Sequence, residues 1–425
     1  MGGGRLSIVS SRRRSGGRER RPLPPGFGTI WTTVAVDLIG FGIVLPLLPR
    51  YAEDLSITPT VIGLVVASFS IAQMIGSPIL GRLSDRWGRK PVLLLSLCGT
   101  AIGSLVTGLA GTVWLLALGR IIDGVSGASV SVAQAAVTDV AEPDQRARLL
   151  GLLGAAFGVG FVVGPAIGAL AALGGPHIPF FVAAAIAGIN ALVAIRRLPE
   201  THPRHTGRPD AAQPGVAASV VDGDGGRFGL ANLPGTARQL ILVAFCALFA
   251  FSGFETTFSL LLKDRFDLSL GSTGAVFAVI GLALVFVQGG LIHPANQALG
   301  ERRTLRLGLG LNAVGMLLMA IDGRWITLVP ALLVLVLGQG LLTPTMSSVL
   351  AGEVPADRRG QTLGYQQSAG SLARAVGPAV AGVLYQHVGV PAPFVVGAVL
   401  VVTAFLLVPR TAGTASPAAL PTHSG

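Results

Sequence analysis

Five ionisable side chains stand inside long apolar stretches of this 425-residue chain: Asp37, Arg120, Asp123, Glu255 and Arg374. A charge in such a setting costs about 2.5–3.5 kcal/mol on insertion scales unless it is paired or meets water, so each one demands a partner or a task. The chemistry open to a buried carboxyl group is proton loading and release, because desolvation disfavours its charged form and a nearby cation restores it. Asp37, in Asp37-Leu38-Ile39-Gly40-Phe41-Gly42-Ile43, has glycine neighbours and little polar company. It lies about two turns, roughly 10 Å, into its apolar stretch. It is the first candidate for a proton carrier, with Arg120 as the cation that tunes it. A permanent Asp37–Arg120 pair that only holds two helices together is the alternative.

Asp123 follows Arg120 by one helical turn in Gly119-Arg120-Ile121-Ile122-Asp123-Gly124 and reads as its intrahelical partner. Glu255 has three readings: a contact for a cationic substrate, a second proton site, or a water-facing bystander. Arg374 sits in Gly370-Ser371-Leu372-Ala373-Arg374-Ala375-Val376-Gly377-Pro378 and either lines a cavity or reaches another helix.

These residues must be positioned by membrane helices. The chain is 51% hydrophobic and 12% charged, with a mean hydropathy of +0.69, whereas soluble domains carry about twice that charge. It divides into twelve apolar runs, near 29–50, 60–80, 91–111, 114–138, 149–171, 178–197, 238–262, 271–293, 304–321, 326–350, 362–386 and 391–409. Each approaches the roughly 20 residues that one crossing needs. A barrel would show short alternating segments instead. The 31 Lys and Arg fall almost wholly on one side; Arg50, Lys263, Arg265 and Arg324 are the exceptions. The positive-inside rule therefore predicts both termini in the cytoplasm, in the plasma (inner) membrane.

The net charge of +11 thus reports topology, and nucleic acid is not an expected partner. Residues 1–28, with seven Arg, read as a disordered basic tail against anionic lipid. Arg12-Arg13 precedes no signal-peptide pattern. Cys98 and Cys246 read as inert thiols, and the six His show no metal spacing. With no phosphate-cradling loop either, no cofactor, metal or enzymatic activity is expected.

An internal repeat organises the chain. Val163-Gly164-Pro165-Ala166-Ile167 recurs 213 positions on as Val376-Gly377-Pro378-Ala379-Val380, and Pro179-Phe180 recurs as Pro393-Phe394. Asp54-Leu55-Ser56 returns as Asp267-Leu268-Ser269, and Gly88-Arg89-Lys90 returns as Gly300-Glu301-Arg302. The expected organisation is a bundle of six helices over 29–197, a cytoplasmic linker over 198–236, a second bundle over 237–410 and a disordered tail over 411–425. Two such bundles place a substrate site between them and rock about it.

The segment Gly81-Arg82-Leu83-Ser84-Asp85-Arg86-Trp87-Gly88-Arg89-Lys90-Pro91 resembles the loop signature of the major facilitator superfamily. Gly81 and Gly88 allow close approach and a tight turn. Asp85 is expected against a helix N-terminus of the opposite half, and Arg86 or Arg89 against Asp139. Together they would latch the cytoplasmic side; a loop that only sets topology is the plainer alternative. Gly158, Gly160, Gly164, Pro165 and Gly168 resemble the antiporter motif of the drug:proton antiporter branch, with Ala169 in place of a final Gly. That motif implies tight closure against a helix of the other half; ordinary small-residue packing is the alternative.

The resemblance implies an all-α fold of twelve helices, with the first, fourth, seventh and tenth around a cavity. Gln134, Gln339 and Glu255 are then its polar candidates and Phe41 and Phe254 its apolar ones. The likeness runs along nearly the whole chain and is strongest to the tetracycline-efflux branch, through Gly81–Ser96, Gly119–Gly168, Pro179-Phe180-Phe181 and Leu198-Pro199-Glu200-Thr201. Around Gly103 and Leu284 that branch's acid and His are missing, and Asn312 stands where an acid would be. Another hydrophobic drug or a natural product therefore fits better than tetracycline. The implied function is proton-coupled efflux of a small molecule by a monomer in the lipid bilayer. A proton-coupled importer and a non-transporting sensor are the alternatives.

Overall fold

The computed structural model describes residues 22–127, 129–142, 145–202, 233–321, 324–354 and 359–409. Most of the expected linker, the basic tail up to residue 21 and the tail from residue 410 lie outside the described residues. The described residues form twelve helical spans and no strand. The first bundle holds α1 (Phe27–Asp54), α2 (Pro59–Trp87), α3 (Arg89–Gly108), α4 (Val113–Val140), α5 (Arg146–Ala172) and α6 (Ile178–Arg197). The second holds α7 (Gly235–Phe266), α8 (Leu270–Leu299), α9 (Glu301–Ala320), α10 (Trp325–Gly352), α11 (Arg359–His387) and α12 (Ala392–Leu407). Nine of the twelve are by themselves long and apolar enough to cross a membrane. Of the others, α12 is short, α9 opens on Glu301, Arg302 and Arg303, and α11 carries Gln366, Gln367 and Arg374.

Two spans are locally irregular. α4 consists of Val113–Ser126 and Ser129–Val140, with a turn at Gly127. α8 contains a π-helical turn over Val287–Leu291, across Gly289 and Gly290. Such a turn leaves one peptide out of the regular ladder and commonly marks a place where a helix changes direction.

Both described ends of the chain and the ends of α6 and α7 lie on one face, called here the near face; the opposite face is the far face. Leu64, Ile75, Ile79, Ile189, Leu192, Phe286 and Leu406 point outward and exposed around the bundles, as expected where hydrocarbon replaces water. Three buried clusters fill the interior. One, including Val92, Val132, Leu149 and Ala191, belongs to the first bundle alone. Another, including Phe254, Leu309, Met316 and Phe394, belongs to the second alone. The third contains Ile43, Leu48, Tyr51 and Phe180 of the first bundle with Leu260 and Tyr385 of the second. The bundles therefore share a core at the far face.

The contacts between bundles follow that division. Ser259 donates to the Pro46 carbonyl at 3.0 Å, joining α7 to α1. The Thr60 backbone N–H donates to Gln386 Oε1 at 3.1 Å, joining α2 to α11. Gly63 lies against the Pro378 backbone and Gly382 against that of Pro59, so neither position has room for a Cβ. Along α5 and α8, Gly271 and Gly274 meet Ala169, and Gly281 meets the Phe161 carbonyl. At Gly158, just before the level of the π turn, even an added Cβ would stand 3.7 Å from Val285. All these residues lie in the far or middle parts of their helices. On the near side, among the described residues, the second segment of α4 and α10 form no comparable contact across the seam. The bundles are closed at the far face and splayed at the near face.

Candidate functional site

Of the residues that the sequence singles out, Asp37 on α1 comes first, and it is buried against the second segment of α4. Asp37 is 8% exposed and Arg120 2%. Ser129, from the second segment of α4, donates to Asp37 Oδ2 at 2.6 Å. Among the described residues, Asp37 Oδ1 has no hydrogen-bond partner. Arg120 does not pair with Asp37; its Nη1 donates to Asp123 Oδ2 at 2.7 Å within α4. The permanent Asp37–Arg120 pair of the alternative reading is not formed, because Asp123, one turn away on the same helix, takes the guanidinium. Arg120 also lies 4.5 Å from the centre of the Phe69 ring, a cation–π contact.

Around this group the glycines of α1 and α5 let two backbones touch. A Cβ on Gly42 would run into the Gly160 and Gly164 backbone, one on Gly160 into Leu38, and one on Gly168 would come within 2.9 Å of Leu47. Gly160, Gly164 and Gly168 thus face α1 in their own bundle, not a helix of the other half as expected. Four-residue spacing puts them on one face of α5. The neighbouring face, with Phe161 and Ala169, is the one that meets α8. Pro165 lies inside the helix between the two sets of contacts.

The expected cavity residues divide into two groups. Phe41 is half-buried and packs with Phe69 and Phe161 at ring separations of 5.4 and 6.5 Å. Gln134 is exposed on the near half of α4, and Glu255 is half-buried on α7. Phe254 and Gln339, by contrast, are in the core of the second bundle. Phe254 is 4% exposed and stacks on Phe258 at 5.0 Å. Gln339 accepts from Asn312 Nδ2 at 2.8 Å and donates to Thr343. Both corrections have one cause: apolar residues occupy every side of α7 and α10 and polar ones are not gathered on one, so no stripe distinguishes a cleft face from a packed face.

At the near face, Arg89 organises the signature loop. Its Nε donates to Asp139 at 2.8 Å and its Nη1 to Asp85 at 2.6 Å and Ser84 at 2.7 Å. Arg89 rather than Arg86 is the partner of Asp139; Arg86 is exposed. Asp85 does not sit against the opposite bundle as expected, because the bundles stand apart on this face and Arg89 takes its charge. Gly81 has open space around it, whereas Gly88 adopts φ +100°, which favours glycine.

Sequence reasoning missed Glu200. Its carboxylate accepts from the backbone N–H groups of Arg89, Thr201 and His202 at 2.9 Å and of Lys90 at 3.2 Å. It thereby caps the N-terminus of α3 with a side chain from beyond the end of α6. Partial burial acts to raise this carboxyl, but the four N–H donors outweigh it and hold Glu200 below its ordinary value of 4.5. Pro199, one residue earlier, packs on Gly26 before α1. The second bundle repeats the loop geometry: Arg302 pairs with Glu353 as Arg89 pairs with Asp139.

Residues 30–297 and 291–422 match the family model of the Major Facilitator Superfamily. The chain belongs to that superfamily. As a member it is a multi-pass membrane transporter acting on small molecules. It is 33% identical over 355 residues to "Tetracycline resistance protein, class G" of Vibrio anguillarum, covering 81% of this chain and 86% of the relative. It is 27% identical over 363 residues to "Multidrug resistance protein 2" of Bacillus subtilis (strain 168), covering 84% and 88%. Among solved structures it is similar to the human organic anion transporter MFSD10 (TETRAN), with TM-score 0.66 and 30% identity, covering 91% of this chain and 100% of that one.

Proposed function

We propose that this superfamily member exports a hydrophobic drug or small metabolite across the plasma membrane in exchange for protons, by alternating access. The near face is then cytoplasmic, as the distribution of Lys and Arg requires, and the closed far face makes the described state inward-open. Substrate enters from the cytoplasm or inner leaflet, the near ends close, and the far seam opens.

The observation that carries this reading is the Asp37 carboxyl, buried with one oxygen held by Ser129 and the other unpartnered. An acid in that position has room for one proton, and the Arg120–Asp123 pair beside it gives its ionised form a local field that changes if α1 and α4 shift. The resistance proteins among the relatives support export as the direction. The latch geometry around Arg89 supports the near ends as moving rigid pieces, since Asp85, Arg89, Asp139 and Glu200 bind the ends of α2, α3, α4 and α6 into one unit.

The test is flux in everted membrane vesicles acidified inside, with a panel of hydrophobic aromatic drugs. Export in cells corresponds to gradient-driven uptake into these vesicles, with protons leaving as drug enters. Asp37→Asn is expected to abolish gradient-driven uptake with normal membrane insertion. Proton-driven movement in the opposite direction would establish an importer, and full coupling in Asp37→Asn would remove Asp37 as carrier.

A further inference from the structure

The proton site lies in the first bundle, yet the second bundle also carries two buried-span charges that the export cycle leaves without a task. Glu255 and Arg374 are both half-buried. They interact electrostatically across α7 and α11, and no direct ion pair joins them among the described residues. Glu255 has no hydrogen-bond partner there, and Arg374 has one long contact, 3.4 Å to Ser371 Oγ on its own helix.

Their placement follows from helical spacing. Ser259, one turn beyond Glu255 on α7, touches the Pro46 carbonyl of α1. Pro378, one turn beyond Arg374 on α11, touches Gly63 of α2. Glu255 and Arg374 therefore lie on the faces that look toward the first bundle, one turn to the near side of the points where the far seam closes. Ser252 Oγ, which donates to the Ala373 carbonyl at 3.2 Å, holds the two helices in register at that level. This is the roof of the cleft. On α1 of the first bundle, Phe41 lies just to the near side of Pro46, the residue that Ser259 touches, and packs with Phe69 and Phe161.

We propose that Glu255 and Arg374 form the headgroup site for an aromatic zwitterion, with a substrate ammonium on Glu255, a substrate carboxylate on Arg374 and its ring against Phe41 and Phe161. A separated acid and base of opposite sign match a molecule that carries both charges. A guanidinium with most of its donors free suits a carboxylate. A ligand with only one charge would leave the other protein charge desolvated and unpaired, which is costly in a low-dielectric site. The sign also agrees with exchange: an ammonium and a proton compete for the same Glu255 carboxylate, so substrate binding and proton binding exclude each other there. This inference deepens the export reading and rests on it only for that last step.

The test uses three forms of one ring: naphthylalanine, its methyl ester, which is only cationic, and its N-acetyl derivative, which is only anionic. Binding to purified protein in nanodiscs is measured independently of transport. The zwitterion is expected to bind at least tenfold more tightly than either derivative. Arg374→Gln should remove that advantage over the ester, Glu255→Gln the advantage over the acetyl form, and thermal melting should show both variants folded. Equal binding of the three forms, or an equal loss of all three in each variant, overturns the site. Zwitterion binding without proton-coupled flux leaves the site standing and rejects the export reading; coupled flux of other drugs with no zwitterion preference does the reverse.

Discussion

Ser129 donates a 2.6 Å hydrogen bond to one oxygen of Asp37, and the other oxygen has no partner among the described residues. This joins α1 to α4 just below the turn at Gly127, where α4 is least regular. A carboxylate oriented by one donor and otherwise bare is positioned without being neutralised. Asp37→Asn is expected to lose gradient-driven transport at least tenfold while still inserting and folding. Ser129→Ala should keep transport but loosen its proton coupling, since a hydrogen bond to a charged group contributes about 1.5–3 kcal/mol. The measurement is protons moved per drug in proteoliposomes; an unchanged ratio in Ser129→Ala would show that the bond is only structural.

The α1–α5 contact makes a paired prediction on one helix. Gly160→Ala places a methyl group against the Leu38 backbone, whereas Gly154→Ala meets nothing within 4 Å. Overpacking of this kind costs about 1–3 kcal/mol. Gly160→Ala should melt at a clearly lower temperature and Gly154→Ala at the wild-type temperature or slightly above, because alanine favours a helix over glycine. Equal melting temperatures would mean that α1 and α5 separate at no cost.

Much of this architecture is written plainly in the sequence. Long apolar runs give the twelve spans because backbone groups in hydrocarbon have to be satisfied within each helix. The repeat extends to individual ion pairs: Arg89–Asp139 is spaced by 50 positions and Arg302–Glu353 by 51. Helix rotation is what the sequence hides. In membrane helices both the packed face and the lipid face are apolar, so Phe254 looks no different from a cleft residue, and the side of α5 on which Gly160 lies is not encoded in any polar stripe. Long-range partners of small polar residues are hidden for a related reason. Ser129, 92 positions from Asp37, is one of many serines, and Glu200 announces itself only once the N-terminus of α3 is known to lie beside it.

Glu200 gives the near face a pH dependence whose sign is fixed. Its folded-state value is depressed below the ordinary 4.5, so the stabilisation it provides is complete above that pH. It is lost as pH falls through the lower folded-state value. Hydrogen exchange at the start of α3 should therefore speed up in acid below about pH 4.5 more in the wild type than in Glu200→Gln, which lacks the carboxylate at every pH. At neutral pH, Glu200→Gln should exchange faster than wild type by the loss of a cap, about 1 kcal/mol. Matching pH profiles for the two proteins would show that the cap does not hold the loop.

The far seam makes a prediction about the cycle itself. The Thr60 N–H meets Gln386 Oε1 at 3.1 Å, and Tyr385, the neighbouring residue, donates to Asp264 of α7 at 2.5 Å. If α2 and α11 part at this end when substrate leaves, a covalent link there must stop turnover. With Cys98 and Cys246 replaced by Ser, the double variant Thr60→Cys, Gln386→Cys should be bridged in the substrate-free protein by a short bifunctional thiosulfonate reagent, fall to background transport when bridged, and recover with reductant. Tyr385→Phe, which removes a bond between α11 and α7 within the second bundle, should destabilise the far end of that bundle by about 1.5–3 kcal/mol, the worth of a hydrogen bond to a carboxylate, and lower the melting temperature without preventing the cross-link. Sustained transport by the cross-linked protein would mean that this seam is a fixed hinge, and the exit path would then have to open along α5 and α8.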